Sequence, residues 1–312
     1  MPRTSLILVA DIGGTKTRLA IARGGRLGKI TSQFNDSLPD LSSLLERELA
    51  ALGKNRPKIA VLAVAAPMNG DHVALTNRDW SFSQAKLKRA LKLKRLIVVN
   101  DFAAVAHALP LLKAKDLLRT GGGKGIKNGN LLACGPGTGF GVATLVRTGR
   151  EDIVVPSEAG HMIFGSAAAA EAEIFTRLPA RPKPFVVENL LSGPGLAFLH
   201  QAISGQALSS DQVLVNAKAG DKAALQTAEI FLRFLGRVAG DMALAFDARG
   251  GVYIGGGVGR ALAPLFAASP FRQAFDDRPT YGERLAAIPT YVITHPSPEL
   301  VGALRLGLAA TR

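Results

Sequence analysis

Short apolar runs alternate along the chain with longer stretches in which apolar residues recur three to four positions apart. This alternation predicts a mixed fold of sheets and crossover helices. Leu6 to Ala10 and Arg18 to Ala22 read as consecutive strands joined by the turn Asp11-Ile-Gly-Gly-Thr-Lys-Thr, and Lys58 to Ala65 and Leu96 to Val99 supply two more. Between these, Leu41 to Leu52 and Ser83 to Leu91 carry helical spacing, with Ser83 placed to cap the second helix. The pattern then restarts. Asn130 to Cys134 and Gly141 to Val146 read as two strands around Gly135-Pro-Gly-Thr-Gly-Phe, a repeat of topology and not of residues. Lys222 to Phe246 predicts a long helix whose Gly236 and Gly240 suit close packing against another element. Gly251-Val-Tyr-Ile predicts a buried strand ending in a Gly turn, and Pro298 to Ala310 a terminal helix. Thr120 to Gly129, rich in Gly and charge without periodicity, reads as a loop or linker near the junction of the two halves.

Composition agrees with two sizeable cores: 312 residues, 47% hydrophobic and 20% charged. No apolar run approaches the roughly 20 residues that span a bilayer. Met1 to Ala10 leads into Asp11 without a cleavable signal pattern, so the expected location is cytoplasmic, with no membrane partner. The single cysteine, Cys134, lies in an apolar run and reads as a buried small hydrophobe. A net charge of +14 raises the question of nucleic acid. The basic groups Lys86 to Arg95, Lys113 to Arg119 and Arg177 to Lys183 are scattered, with few aromatics to stack on bases. They read as a solvated face, and no nucleic-acid partner is expected.

Three Gly-rich turns each follow an apolar strand: Asp11-Ile-Gly-Gly-Thr, Gly135-Pro-Gly-Thr-Gly and Gly255-Gly-Gly. Glycine lets backbone amides approach an anion and a Thr hydroxyl adds a donor, so three such turns suit a polyphosphate. Neither a Walker lysine pattern nor a dinucleotide fingerprint is present. Asp11 either fixes its own turn or holds Mg²⁺ through water. Two roles are open to Asp101 as well: cap of the helix Phe102 to Leu109, or a carboxylate at the carboxyl end of a strand, where open α/β sheets bind ligands. Asn77, Asn100, Glu158, His161 and Glu188 complete a polar set able to match the donors and acceptors of a sugar. No neighbouring Cys or His completes a zinc set around His161.

At these residues the chain resembles the bacterial glucokinase family, within the superfamily of sugar kinases, hexokinases and actin-like ATPases. The first phosphate motif is matched by Asp11 to Ala20, the catalytic motif by Asn100-Asp101-Phe102, the second phosphate motif by Gly135 to Gly141, and the adenosine motif by Gly255 to Gly257. Ser192-Gly-Pro-Gly-Leu also reads like the family. The resemblance covers nearly the whole chain. It implies an α/β fold of two lobes of the actin-like ATPase (ribonuclease H-like) type with a cleft between them. The small domain would be 1–110, completed by a C-terminal helix 297–312, and the large domain 111–296.

The resemblance further implies that Asp101 is the general base and that Asn77, Asn100, Asp101, Glu158, His161 and Glu188 bind glucose. ATP would lie on Asp11, Gly13, Gly14, Thr15, Gly137, Thr138, Gly139, Gly256 and Gly257, with Mg²⁺ held by Asp11 through water. The expected assembly is a homodimer. Lys16 stands where close relatives often have Asn, which leaves a polyphosphate donor as an alternative, beside a kinase of another hexose. A sugar-responsive regulator is the remaining rival, and the first strand begins too early for a helix-turn-helix ahead of it. The cysteine-rich zinc motif of the related repressor and kinase family is absent, which points to the zinc-free branch.

Overall fold

A strand with apolar side chains on both faces must be covered on both sides, and Leu6–Ile12 (β1) is so covered in the computed structural model. The structure describes residues 6–53, 55–68, 70–76, 78–178 and 184–311. By its internal contacts the chain divides into two compact units, Met1–Leu111 with Pro296–Arg312, and Leu112–His295.

In the first unit β1 pairs antiparallel with Lys16–Arg23 (β2), which also carries Arg26–Leu27 (β3) and Thr31–Phe34 (β4). Helix Leu41–Ala50 (α1) follows, its first turn held by the Asp40 carboxylate accepting from Ser43 N at 2.7 Å. Ile59–Val64 (β5) then lies parallel to β1. A small ribbon, His72–Ala74 (β6) with Ser81–Ser83 (β7), leads to Gln84–Ala90 (α2), capped by Ser83 as the sequence predicts. Arg95–Asn100 (β8) adds a second parallel strand and runs straight into Asp101–Ala108 (α3). The sheet order is β3-β2-β1-β5-β8, with β4 also on β2. One face buries Leu8, Ala10 and Leu62 against Leu44, Leu45 and Leu87; the other buries Ile7, Val9 and Val61 against Leu300, Ala303 and Leu304 of the C-terminal helix Pro298–Ala309.

The second unit contains Leu117–Gly121 (β9), Leu131–Pro136 (β10), Phe140–Arg147 (β11) and Asp152–Ser157 (β12). Helices Ala169–Arg177 (α4), Val187–Leu190 (α5), Gly193–Ser204 (α6), Ser210–Lys218 (α7) and Lys222–Ala245 (α8) follow. Gly251–Ile254 (β13), Gly257–Ala261 (α9), Phe271–Asp276 (α10), Gly282–Ala286 (α11) and Thr290–Ile293 (β14) complete it. The sheet order is β12-β11-β10-β13-β14-β9. In each unit an antiparallel hairpin is extended by two parallel strands, β2-β1-β5-β8 and β11-β10-β13-β14. The hairpin that heads each of these sheets is the repeat of topology that the sequence predicts.

Helix α8 forms as its periodicity requires, and its glycines serve close packing. A Cβ on Gly236 would stand 2.1 Å from the Phe271 carbonyl oxygen, and one on Gly240 2.6 Å from that of Phe275, so α10 lies against bare backbone. Among the described residues no helix is long and apolar enough to cross a membrane.

The segment 120–129 is a loop from Gly122 onward, the first of the two readings open to it, and it is tied into the second unit. Gly123 N donates to Ala286 O at 2.9 Å and Ile126 N to Arg249 O at 2.8 Å, and a Cβ on Gly122 would stand 2.0 Å from Ile288 O. Its glycines permit dense backbone packing inside the second unit. The division between the units falls at Leu111–Leu112.

Candidate active site

In the first unit β1 delivers Asp11 beside the turn 13–15. Register places Asp11 opposite Arg18, and Arg18 Nη1 lies 3.5 Å from the Asp11 carboxylate and 3.8 Å from Glu299, while donating to Pro296 O at 3.1 Å. Burial, and next the charge of Glu299, push the Asp11 carboxyl well above its ordinary range; Arg18 opposes this and Asp101 adds to it. Asp11 and Asp101 thus lie within one another's field.

The turn is held from below by Asn35, which is fully buried. Its Nδ2 donates to Gly13 O at 2.7 Å and Gly14 O at 3.1 Å, its Oδ1 accepts from the Thr17 hydroxyl at 2.8 Å, and its backbone N–H donates to Thr15 O at 2.9 Å. Arg78 reaches the same turn, Nη1 to Gly14 O at 3.4 Å, with its guanidinium over the Trp80 ring and a 2.7 Å contact to Asp36. Lys16, at the start of β2, stacks its ammonium 4.4 Å from the centroid of Phe34.

At the carboxyl end of β8 the two roles open to Asp101 separate. The cap is Asn100, whose Oδ1 accepts from Phe102 N at 2.9 Å and Ala103 N at 3.2 Å. Asp101 is the first residue of α3 and accepts from Phe102 N at 2.8 Å. Asn100 is thereby engaged in backbone bonds, its Nδ2 also reaching Ala66 O at 3.4 Å.

In the second unit Gly137, Thr138 and Gly139 link β10 to β11. Gly137 N donates to Gly139 O and Gly193 N to Gly137 O, both at 2.8 Å. Glu188 on α5 accepts from Phe140 N at 2.8 Å, and a Cβ on Gly139 would stand only 2.2 Å from that carboxylate. Glu158 and His161 flank a single 3-10 turn, His161 N donating to Glu158 O at 2.9 Å, and Gly160 within it packs on Phe140 O. Glu158 and His161 are exposed. The start of β11 therefore gathers Glu158, His161 and Glu188 around the second Gly turn. The third turn joins them: Gly256 adopts φ +80°, and a Cβ there would stand 2.2 Å from Pro136 O, while Gly257 opens α9.

Asn77 lies outside the described residues. Asn35, Arg18, Arg78 and Glu299 are additions that the sequence reading missed. For Arg18 a signal existed, since on a hairpin of this length it faces Asp11. Asn35 and Glu299 are recruited from distant segments and left none. Cys134 is buried and its thiol is pushed up to about 12 by that burial, which leaves it unreactive.

As to a metal, among the described residues no group of three or more His, Cys, Asp or Glu is arranged to hold one. Oxygen donors at Asp11, in the field of Asp101 and Glu299, suit Mg²⁺ that keeps its waters and takes most of its remaining contacts from phosphates.

Two hairpin-and-parallel-strand sheets carrying Gly turns and carboxylates define the class, an α/β sugar kinase. A glucokinase from an Antarctic psychrotroph superimposes with a TM-score of 0.85 at 31% identity over 98% of this chain and 99% of that one. A glucokinase of the repressor and kinase family from Streptomyces griseus, solved with glucose and AMPPNP, shares the fold with a TM-score of 0.68 at 18% identity, covering 98% of this chain and 100% of that one. The glucokinase family model matches residues 8–309. Glucokinase of Nitrobacter hamburgensis is 39% identical over 313 residues, 98% of each chain. The chain belongs to the glucokinase family, and it is a glucose-phosphorylating enzyme.

Proposed function

We propose that the enzyme transfers the γ-phosphoryl group of ATP to the 6-hydroxyl of glucose, giving glucose 6-phosphate and ADP, with Asp101 as general base. The observation that carries this reading is the division of labour at the end of β8. Asn100 caps α3, and Asp101 stands beside it within the field of Asp11 and the first Gly turn. A base at that point accepts the hydroxyl proton as the oxygen attacks phosphorus. Phosphoryl transfer asks more of positioning than of basicity, so an ordinary carboxylate serves.

Glucose would be held by Asn77, Glu158, His161 and Glu188 together with Asn100 and Asp101. The polyphosphate would lie on Gly13, Gly14, Thr15, Gly137, Thr138 and Gly139, and the adenosine against Gly256 and Gly257. Mg²⁺ bound with the nucleotide would neutralise charge on the phosphoryl oxygens, with Asp11 reaching it through water. Backbone N–H groups of the Gly turns would stabilise the same charge. The AMPPNP and glucose in the Streptomyces griseus relative support ATP as donor and glucose as acceptor. We further propose that the two units are the small and large lobes of the actin-like fold. The protein would act in the cytoplasm as a homodimer, and the exposed Ile153, Val155 and Ile163 at and after edge strand β12 support an apolar contact between copies. Sedimentation showing only monomer at working concentrations would remove the dimer.

Asp101→Asn tests the base. The expected result is a fall in kcat of about a thousandfold, with glucose affinity by calorimetry nearly unchanged. A variant that keeps near-normal kcat would take the role away from Asp101.

A further inference from the structure

The charge of the protein is unevenly divided. The first unit holds nineteen Lys and Arg against nine Asp and Glu, a formal +10, and the second nineteen against fifteen, +4. Within the first unit, residues 12–35, 49–70 and 80–100 contain no Asp or Glu at all. The sheet brings these three stretches to one edge.

Pairing fixes where their cations stand. Leu6 pairs with Arg23, and Arg23 with Arg26. Ile7 pairs with Ile59, and Ile59 with Arg95, so Lys58 and Lys94, each one residue earlier, lie level with Leu6. Lys94 N and Arg95 N both donate to Lys58 O, at 2.8 and 3.1 Å, which locks the two lysines together. Along the path β3-β2-β1-β5-β8, β3 and β2 thus carry a cation at one level, Arg26 and Arg23, and β5 and β8 are each preceded by one at that level, Lys58 and Lys94, spread over about 19 Å at ~4.8 Å per strand. Residues level with one another in a sheet share a face. All four side chains are exposed, and among the described residues none is paired with a carboxylate. This edge is the amino-terminal end of β5 and β8, about 20 Å along the strands from Asp101 at ~3.3 Å per residue.

Four cations at one level of the sheet, two on each side of Leu6, repel one another and are stabilised by a flexible polyanion that spans them. The row is one residue deep on each strand and follows the twist of the sheet, and at its level stand Arg26, Arg23, Leu6, Lys58 and Lys94, with neither an aromatic platform for bases nor a helix to enter a groove. We infer that this edge binds a linear phosphate polymer without bases, inorganic polyphosphate, at a site separate from the catalytic residues.

The test uses the full chain with fluorescently labelled long-chain polyphosphate, in the presence of saturating ATP and glucose. Four phosphate contacts at ~0.7 counterion each predict a slope near −3, so affinity falls about fiftyfold between 50 and 200 mM salt. Lys58→Gln with Lys94→Gln should weaken binding at least about tenfold and leave glucose phosphorylation unchanged, which also reports correct folding. Lys218→Gln with Lys222→Gln, which removes the same charge from exposed positions on α7 and α8, should leave binding intact. The inference is overturned by absence of binding at 50 mM salt, by equal effects of the two double variants, or by displacement with ATP. Tighter binding at equal salt to single-stranded RNA, or to phosphatidylserine-containing vesicles, also overturns it.

Discussion

The two strand-turn-strand hairpins do the same local job by opposite means. In the first unit the turn is held by side chains: Asn35 takes the carbonyls of Gly13 and Gly14, Arg78 adds a contact, and Arg18 ties Asp11 to the C-terminal helix. In the second the turn is held by backbone against backbone. A Cβ on Gly135 would stand 2.4 Å from Gly255 O, one on Gly256 2.2 Å from Pro136 O, and one carboxylate, Glu188, closes the floor. A side-chain scaffold can be weakened by degrees. A scaffold of touching glycines has no intermediate setting.

The largest effect should come from Gly256→Ala, which meets both a positive φ and a backbone oxygen. A loss of about 3 kcal/mol in denaturant unfolding, together with a raised KM for ATP, is expected. An ATP KM and stability like those of the parent would break the contrast between the hairpins. Glu188→Gln should follow: losing a charged acceptor for Phe140 N costs about 2 kcal/mol, or some thirtyfold in kcat/KM for glucose. If ATP binding suffers more than glucose binding, Glu188 supports the turn and not the sugar. Asn35→Ala removes the donor to the half-buried carbonyls of Gly13 and Gly14 and leaves Gly14 O only the 3.4 Å contact of Arg78. It should cost about 1–2 kcal/mol and raise KM for ATP more than for glucose, which steady-state kinetics will show.

The mildest test concerns pH, and its sign differs between the units. His200, buried in the second unit with Nδ1 3.0 Å from the Thr227 hydroxyl, has its pKa lowered by burial, with Asp221 acting weakly against this. Its unfolded form therefore binds the proton first. Stability is full above pH 6.5 and falls below it, by at most about 1.4 kcal/mol per pH unit. Asp11 in the first unit is raised, so its protonation favours the fold, with stability gained as pH drops through its folded value. Unfolding titrations at pH 8, 6.5 and 5 should lose this acid-sensitive component in His200→Gln. An unchanged slope would show that His200 does not set it.

The strands with apolar runs, β1, β5, β10 and β13, were legible because burial on both faces leaves so few polar residues. Edge strands β3, β4 and β12 were not, since Asp152-Ile-Val-Val-Pro-Ser pairs on one side only and carries polar ends. The segment 120–129 was legible as a loop but its packing was not, because glycine signals freedom in a sequence, whereas here it permits contact. At the site, the motif residues could be named in advance, but their supports could not. Asn35 comes from twenty residues beyond its turn and Glu299 from the far end of the chain, and only folding joins them. The contact of Lys16 with Phe34 was equally unreadable, since the two residues lie on different strands. The basic row is illegible for the same reason, its members being supplied by separate segments.

Cys134 has a practical consequence. As the one thiol of the chain, buried in β10 and held protonated, it is invisible to thiol reagents while the second unit stays folded. A cysteine introduced on the surface can therefore be labelled alone without first removing it, and the rate at which Cys134 itself becomes modified is a built-in clock for the opening of the sheet that carries the second Gly turn.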